Sequence, residues 1–151
     1  MLAIDRLREH GTPSSEAIET FLEADFPLIE GPHATFVWTG NADEVYLRHF
    51  IYGLPSSMPF SRIDNTELWF CLVEVPAKSR IEYKLSIVRN GDGNWQRDPR
   101  NHRKARDPFG ANSVCYGDGY ARPTWIEPDP EVRPGSLSEH TIKLTPFGEP
   151  R

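Results

Sequence analysis

The sequence contains very little cysteine and no cysteine pattern that binds a metal or carries redox chemistry. Its 151 residues include only two cysteines, Cys71 and Cys115, which lie far apart and form no C-x-x-C pair. Both stand in apolar, strand-like surroundings, where a free cysteine is usually a small core residue. We therefore predict two core cysteines, no metal site and no cofactor.

The sequence also lacks a positive net charge and a long apolar run. Its net charge of −5 argues against general nucleic-acid binding, because a basic balance supplies most of the affinity in such proteins. No run of about 18 apolar residues occurs, so we expect no membrane span. The N-terminus is charged from Asp5 and shows no apolar signal region or cleavage site, which makes the cytoplasm the expected location.

Catalytic motifs are missing from the sequence as well. It has no G-x-S-x-G elbow for a serine nucleophile and no H-E-x-x-H zinc motif. A stretch beginning at Asn90 resembles a calcium loop, but Trp95 and Asn101 replace the glycine and glutamate that such a loop requires. We expect His49 to be an ordinary sheet residue, and we expect no catalytic residue and no enzymatic activity in this chain alone.

The residues that are abundant favour short strands and ordered loops. The chain contains 14 prolines and 11 glycines, and its length suits one domain. Residues 1–25 are predicted to be helical, with Ser14 or Ser15 as a cap and with Ile18, Phe21 and Leu22 on one apolar stripe.

From His33 onward the apolar period changes from 3.6 to 2, which is typical of strands. Turn-forming residues separate the strands, and we interpret residues 54–67 as a loop and Asn90–Gly93 as a hairpin turn. The pattern predicts a mainly β, antiparallel sandwich. Strands are predicted over residues 34–40, 44–52, 68–75, 81–88, from 95 and over 112–117. The predicted organisation is a helical segment at 1–25, the sandwich at 26–120, and a linker with a possible first strand of another domain at 121–151.

A basic, proline-containing stretch at residues 94–114 interrupts this alternation. Asp-Pro pairs end strands, because proline cannot donate to a ladder and aspartate caps nearby amides. We predict an ordered surface loop between the two pairs, with Asp98 or Asp107 accepting hydrogen bonds from backbone amides and Phe109 buried. The residues predicted to structure the loop are Asp98, Pro99, Asp107, Pro108 and Phe109.

The order of the strand segments resembles a known family. About residues 33–120 are similar to the N-terminal early-set, immunoglobulin-like domain of enterochelin-esterase-like hydrolases, within the wider group of glycogen-binding-type modules. The segments that carry the resemblance are ATFVWTGNADEVYL, MPFSRIDNTELWFCLVEVP, IEYKLSIVRNGDGNWQRDPRN and DPFGANSV. Residues 119–151 resemble the linker and opening strand that lead into the catalytic domain of those esterases.

The resemblance implies a non-catalytic accessory domain of a serine esterase. Such a domain shapes the substrate entrance or docks an α/β-hydrolase domain in the same parent chain, and the implied ligand is a siderophore-type ester. The alternative that the wider group implies is an α-glucan-binding module, with Lys84, Trp95 and Asn112 as the sugar contacts. The first stacking tryptophan of those modules would fall near Ser56 or Ser57, where no aromatic stands, so we expect weak binding of oligosaccharide. In the structural alternative, Lys84 merely points outward and Trp95 packs under the basic loop.

The basic residues of the loop have two interpretations of their own. They form a solvated loop, or they face an acidic partner such as the hydrolase domain or an anionic catecholate substrate, since the guanidinium fork suits oxyanions. The residues concerned are Arg97, Arg100, Arg103, Lys104 and Arg106. A homodimer formed through a sheet face is a third hypothesis.

Overall fold

Two α-helices and ten β-strands make up the regular structure of the main unit of the protein. The computed structural model describes residues 1–108, 110–127, 129–133 and 135–140. The helices are α1 (Ala3–Arg8) and α2 (Ser15–Phe21). The strands are β1 (Leu28–Glu30), β2 (His33–Thr39), β3 (Glu44–His49), β4 (Ser57–Pro59), β5 (Ser61–Arg62), β6 (Leu68–Glu74), β7 (Arg80–Arg89), β8 (Asp92–Gln96), β9 (Lys104–Asp107) and β10 (Gly110–Tyr116).

The chain divides into two compact units, Met1–Ala121 and Arg122–Arg151. The first holds every helix and strand named above, and the second contains a 3₁₀ turn at Thr124–Ile126. The prediction of a strand within 121–151 involves residues 141–151, which lie outside the described residues, as does Phe109.

The strands form two antiparallel sheets, as the alternating pattern predicted. One sheet has the order β1-β2-β6-β5, and the other has the order β4-β3-β7-β10-β9, with β8 paired to β7 beside β10. The inner faces of the two sheets form one apolar core, to which β2 contributes Phe36 and Trp38 and β7 contributes Tyr83 and Leu85. Both cysteines are buried in this core and free, and burial raises the pKa of each thiol to about 12. The predicted β-sandwich and the core position of the cysteines are thus confirmed.

The outer face of the four-stranded sheet is covered by the N-terminal helices. Ser14 caps α2, since its Oγ accepts a hydrogen bond from the Ala17 amide at 3.2 Å. The predicted stripe on α2 packs against outward-facing side chains of β2 and β6. This second apolar cluster comprises Ile4, Phe26, Val37, Ile63 and Leu68, with Leu2, Leu7, Ile18, Phe21, Leu22, Leu28 and Phe70 packed against it. In the described residues no helix covers the outer face of the six-stranded sheet in the same way.

Two segments that we predicted to be loops contain strands. Residues 54–67 include β4, which joins the six-stranded sheet, and β5, which joins the four-stranded sheet, so this segment carries the chain from one sheet to the other. The segment between the two Asp-Pro pairs includes β9, an edge strand of sequence KARD paired with β10. Short, charged edge strands bury little apolar surface and therefore lack the alternation on which the prediction depended.

Candidate ligand-binding cleft

The three predicted sugar contacts lie together on the outer face of the six-stranded sheet. Trp95 in β8 is paired with Ser86 in β7, and Lys84 lies two residues before Ser86 on the same face. Asn112 in β10 precedes Ser113, whose pairing with inward-facing Tyr83 places Asn112 on the outer face. Because side chains alternate along a strand, register alone brings the three together. They line one cleft of about 270 Å³.

The indole of Trp95 is a main wall of this cleft. The side chain is 55% exposed and does not pack under the basic segment. The Arg48 guanidinium carbon lies 5.0 Å from the centre of the Trp95 ring and 5.7 Å from the centre of the Tyr46 ring. Arg48 is therefore held by two aromatic neighbours, and Trp95 remains partly open to a ligand.

A second aromatic residue lines the cleft at a position that the sequence did not reveal. Ser56, near which the first stacking tryptophan of glycogen-binding-type modules would fall, does line the cleft. Phe50 lines the same cleft and is 93% exposed. Phe50 directly follows β3, where the alternation of the strand pattern groups it with Tyr46 and Arg48 on the face opposite to the core. The segment that follows β3 thus supplies a second aromatic side chain to the cleft that Trp95 lines from β8.

Hydrogen bonds fix the orientation of the Asn112 amide. Its Nδ2 donates to Glu82 Oε2 at 2.9 Å and to Asp107 Oδ2 at 3.3 Å. Both partners are carboxylates, so the nitrogen must face them, and Oδ1 is the atom left to accept from a ligand. Hydrogen bonds from Asn112 and Arg80 hold the pKa of Glu82 below its usual value, which keeps this carboxylate charged.

His49 contributes to the cleft as a buried, neutral group. It lies in β3 as predicted for a sheet residue, and its Nδ1 accepts a hydrogen bond from the Ile51 amide at 3.0 Å. Burial lowers the pKa of His49. Its Nε2 is buried and has no hydrogen-bond partner among the described residues.

The first Asp-Pro pair is fixed by a buried polar network next to the cleft. Asp98 is fully buried, and its Oδ1 accepts a hydrogen bond from the Arg100 amide at 2.9 Å, as predicted for this aspartate. Its Oδ2 accepts from the Tyr83 hydroxyl at 2.7 Å, and its amide donates to Ser113 Oγ at 2.9 Å. Burial raises the pKa of Asp98, and the Tyr83 hydrogen bond opposes that rise. Pro99 and Pro108 are exposed beyond this network.

Asn101 extends the same network toward β10. Its Nδ2 donates to the Tyr83 hydroxyl at 2.9 Å and to the Val114 carbonyl at 2.8 Å, and its Oδ1 accepts from the Arg103 amide at 2.9 Å. From the sequence, Asn101 is predicted only to be unsuited to the glutamate position of a calcium loop, and its buried hydrogen bonds leave no signal there. The part of the basic segment around Asn101 is therefore ordered, as predicted. Buried Asn101 and the strand β9 hold it in place, in addition to the prolines.

The five basic residues of this segment do not line the cleft. Arg103 lies over the Tyr116 ring at 5.6 Å, whereas Lys104 and Arg106 project from the edge strand β9 and are exposed. Among the residues that the structure describes, none of the five forms an ion pair; they are Arg97, Arg100, Arg103, Lys104 and Arg106. Lys104 and Arg106 pair with Ser113 and Ala111, so they lie at the β9 edge on the face opposite to Asn112 and the cleft.

In the described part of the chain, no three histidine, cysteine or acidic side chains are arranged to hold a metal ion. No helix there is long and apolar enough to cross a bilayer.

The sandwich is similar to domains in solved hydrolase structures. It matches the enterobactin esterase FES of Shigella flexneri with a TM-score of 0.51 and 18% identity, over 67% of this chain and 34% of the esterase. A pullulanase of Paenibacillus barengoltzii matches with a TM-score of 0.46 and 16% identity, over 58% of this chain and 14% of the pullulanase. No protein-family model and no curated protein matches the chain.

These matches define the fold and no more. The chain corresponds to about a third of the esterase, since the match covers 34% of it, and to a smaller part of the pullulanase. Its fold is therefore that of a β-sandwich that also occurs as one part of a larger esterase chain.

Proposed function

We propose that this protein is a non-catalytic accessory domain of an enterochelin-esterase-like serine hydrolase. In this proposal the outer face of its six-stranded sheet shapes the substrate entrance or docks the catalytic domain. The observation that carries the proposal is the cleft on that face, where Trp95, Phe50 and Lys84 remain accessible although the opposite face of the sandwich is covered by helices. Exposed aromatic and basic side chains grouped around a concavity are typical of contact surfaces.

The exposed cations of the edge strand β9 supply a docking element. Lys104 and Arg106 lie on an edge strand, are exposed, and have no acidic partner in the described residues. These two positive charges are opposite in sign to the net charge of the chain, which is −5. Such a group attracts an acidic surface and also discourages edge-to-edge aggregation of β9.

A binding measurement with the separately produced hydrolase domain of the parent protein tests the docking role. Replacing Lys104→Glu together with Arg106→Glu is expected to weaken association about 10-fold or more, because two attractive charges become repulsive. The melting temperature should stay nearly unchanged, since both side chains are exposed. Lys78→Glu with Arg133→Glu is the matched control, because these exposed cations lie outside β9. Equal weakening by both double variants, or by neither, would contradict the docking role.

The convergence of Lys84, Trp95 and Asn112 favours α-glucan binding as a second candidate. An indole face stacks on the apolar face of a sugar ring, and Asn112 Oδ1 can accept from a hydroxyl. Arg48 already contacts the Trp95 ring, however, so that only part of the indole is free.

We expect maltoheptaose to bind no more tightly than about 1 mM, because Arg48 covers part of the Trp95 indole and leaves little of its face free for stacking. Titration followed by tryptophan fluorescence measures this, with Trp95→Ala as the test variant. Trp125→Ala is the control, since Trp125 is exposed and belongs to the second compact unit. Low-micromolar binding that Trp95→Ala abolishes and Trp125→Ala preserves would make glucan binding the better proposal.

A further inference from the structure

Two positive side chains oppose each other in the cleft. Arg48 in β3 and Lys84 in β7 are direct cross-strand partners, and both line the cleft. Side chains at such positions lie about 5 Å apart at their β carbons, and like charges placed there repel and destabilise the sheet. A pair of like charges at these positions therefore calls for a negative group that offsets the repulsion.

The described residues provide no internal anion for this pair. Within the described residues neither Arg48 nor Lys84 forms an ion pair, and Arg48 Nε is buried without a hydrogen-bond partner. Glu82, the carboxylate in the cleft, is already engaged by Arg80 at 2.8 Å and by Asn112 at 2.9 Å. The Tyr46 and Trp95 rings meanwhile hold the Arg48 guanidinium in place.

We propose that Arg48 and Lys84 form a carboxylate-binding pair, so that the cleft prefers an acidic ring to a neutral one. This inference rests on the proposed function, in which the cleft is a ligand-facing surface. A guanidinium offers two parallel donors to a carboxylate, and the lysine ammonium adds a third donor from the adjacent strand. A bound carboxylate would also relieve the repulsion between the two cations.

The other groups of the cleft define the rest of the ligand. Trp95 and Phe50 present apolar rings to a flat or chair-shaped face, and Asn112 Oδ1 accepts a hydrogen bond. The ligand is therefore a ring that carries a carboxylate and at least one hydroxyl. Acidic sugars and hydroxylated aromatic acids share this chemistry.

The test compares ligands that differ only in the charged group. Glucuronate is paired with glucuronamide, and salicylate with salicylamide, at pH 7 and constant ionic strength. Binding is followed by the NMR signal of the Trp95 indole N–H, which Trp95→Phe identifies. At least one acid is expected to bind about 10-fold more tightly than its amide, with the preference falling as salt is added. The pair that shows the preference distinguishes a sugar acid from an aromatic acid.

Variants assign the preference to Arg48. Arg48→Gln should abolish the preference for acid over amide, and Arg48→Lys should restore part of it. Arg62→Gln is the matched control, because Arg62 lies over a tryptophan ring, Trp69, at 5.6 Å on the other sheet. If acid and amide bind equally, or if neither shifts the Trp95 signal, the inference is wrong. The docking experiment with Lys104 and Arg106 is independent of that result, so the two proposals fail separately.

Discussion

The Tyr83 hydroxyl shows how one polar atom organises this protein. It points into the core from β7, where it donates to Asp98 and accepts from Asn101. These partners are 15 and 18 residues distant in sequence, so one oxygen ties the basic segment to the sheet. The ring itself packs edge-to-face on Phe36 with centroids 4.9 Å apart. Burial and the adjacent Asp98 carboxylate raise the pKa of the phenol, which therefore acts as a hydrogen-bond donor.

Tyr83→Phe keeps the ring and removes only this hydroxyl. We expect a loss of about 1–3 kcal/mol in the free energy of unfolding, because a buried carboxylate oxygen and an amide hydrogen lose their partner. Urea denaturation measures the loss. Tyr52→Phe, at an exposed tyrosine, is the control and should change stability by less than about 0.5 kcal/mol. A Tyr83→Phe protein as stable as the control would show that water or rearrangement satisfies Asp98.

Among the elements, the turn that follows β10 lies in close contact with the turn between β6 and β7. The Gly117 amide donates to the Ser79 carbonyl at 2.9 Å, and the Lys78 amide donates to the Asp118 carbonyl at 2.7 Å. These bonds bring the end of β10 against the turn between β6 and β7. A β carbon at position 117 would collide with the Pro76 carbonyl oxygen and would lie 2.8 Å from Ser79 Oγ. This glycine is thus required by close backbone approach.

Gly117→Ala is expected to destabilise the protein by about 1–3 kcal/mol, because the Pro76 carbonyl is backbone and cannot move aside cheaply. Thermal unfolding followed by circular dichroism measures the change. Gly93→Ala in β8 is the matched control, since a β carbon at position 93 would have Ser86 Oγ as its nearest neighbour, at an ordinary contact distance of 3.5 Å. The two variants should differ clearly in melting temperature, and equal values would show that the turn between Pro76 and Ser79 is free to shift.

For the secondary-structure elements, the sequence predicted those features that depend on neighbouring residues. The hairpin between β7 and β8 was predictable because Asn90 and Gly91 adopt positive φ values of 52° and 82°, which few other residues tolerate. The cap at Ser14 was equally local. By contrast, β9 is stabilised by its pairing with β10 and by buried Asn101, and neither leaves a periodic signal.

The cleft could be predicted only in part for the same reason. Lys84, Trp95 and Asn112 were identified by resemblance to a family, and the structure brings them together. Arg48 and Phe50 were missed, because only the pairing of β3 with β7 places Arg48 opposite Lys84. Register between distant strands is a nonlocal property, so a list of residues in sequence order does not reveal it.

In the main unit as a whole, the two outer faces of the sandwich differ in character. The helices cover the four-stranded sheet, where side chains such as Val37 and Leu68 point away from the central core and are still buried. The six-stranded sheet instead presents charged and aromatic side chains on its outer face. Residues 1–25, which we predicted to be a helical segment, lie in the same compact unit as the strands of the sandwich. The helices therefore complete the core, and the opposite face is left for contact with a ligand or partner.

Deleting residues 1–25 tests whether the helices are part of the folding unit. The deletion removes fully buried Ile4 and the partly buried stripe of Ile18, Phe21 and Leu22 from the second apolar cluster. Burial of one large aliphatic or aromatic side chain contributes about 1.5–3 kcal/mol. We therefore expect a loss of more than about 5 kcal/mol, comparable with the whole stability of a small domain.

The shortened protein should aggregate or bind a hydrophobic dye, as measured by size-exclusion chromatography and dye fluorescence. A chain ending at Ala121 is the matched control, because it retains both apolar clusters and every strand of the sandwich. It should unfold cooperatively, with a melting temperature close to that of the full chain. A deletion of 1–25 that stays monomeric and unfolds at the same temperature as the control would show that the helices are an appendage. In that case the outer face of β2 and β6 would have to be stable in water, and its apolar side chains Val37, Leu68 and Phe70 argue against that.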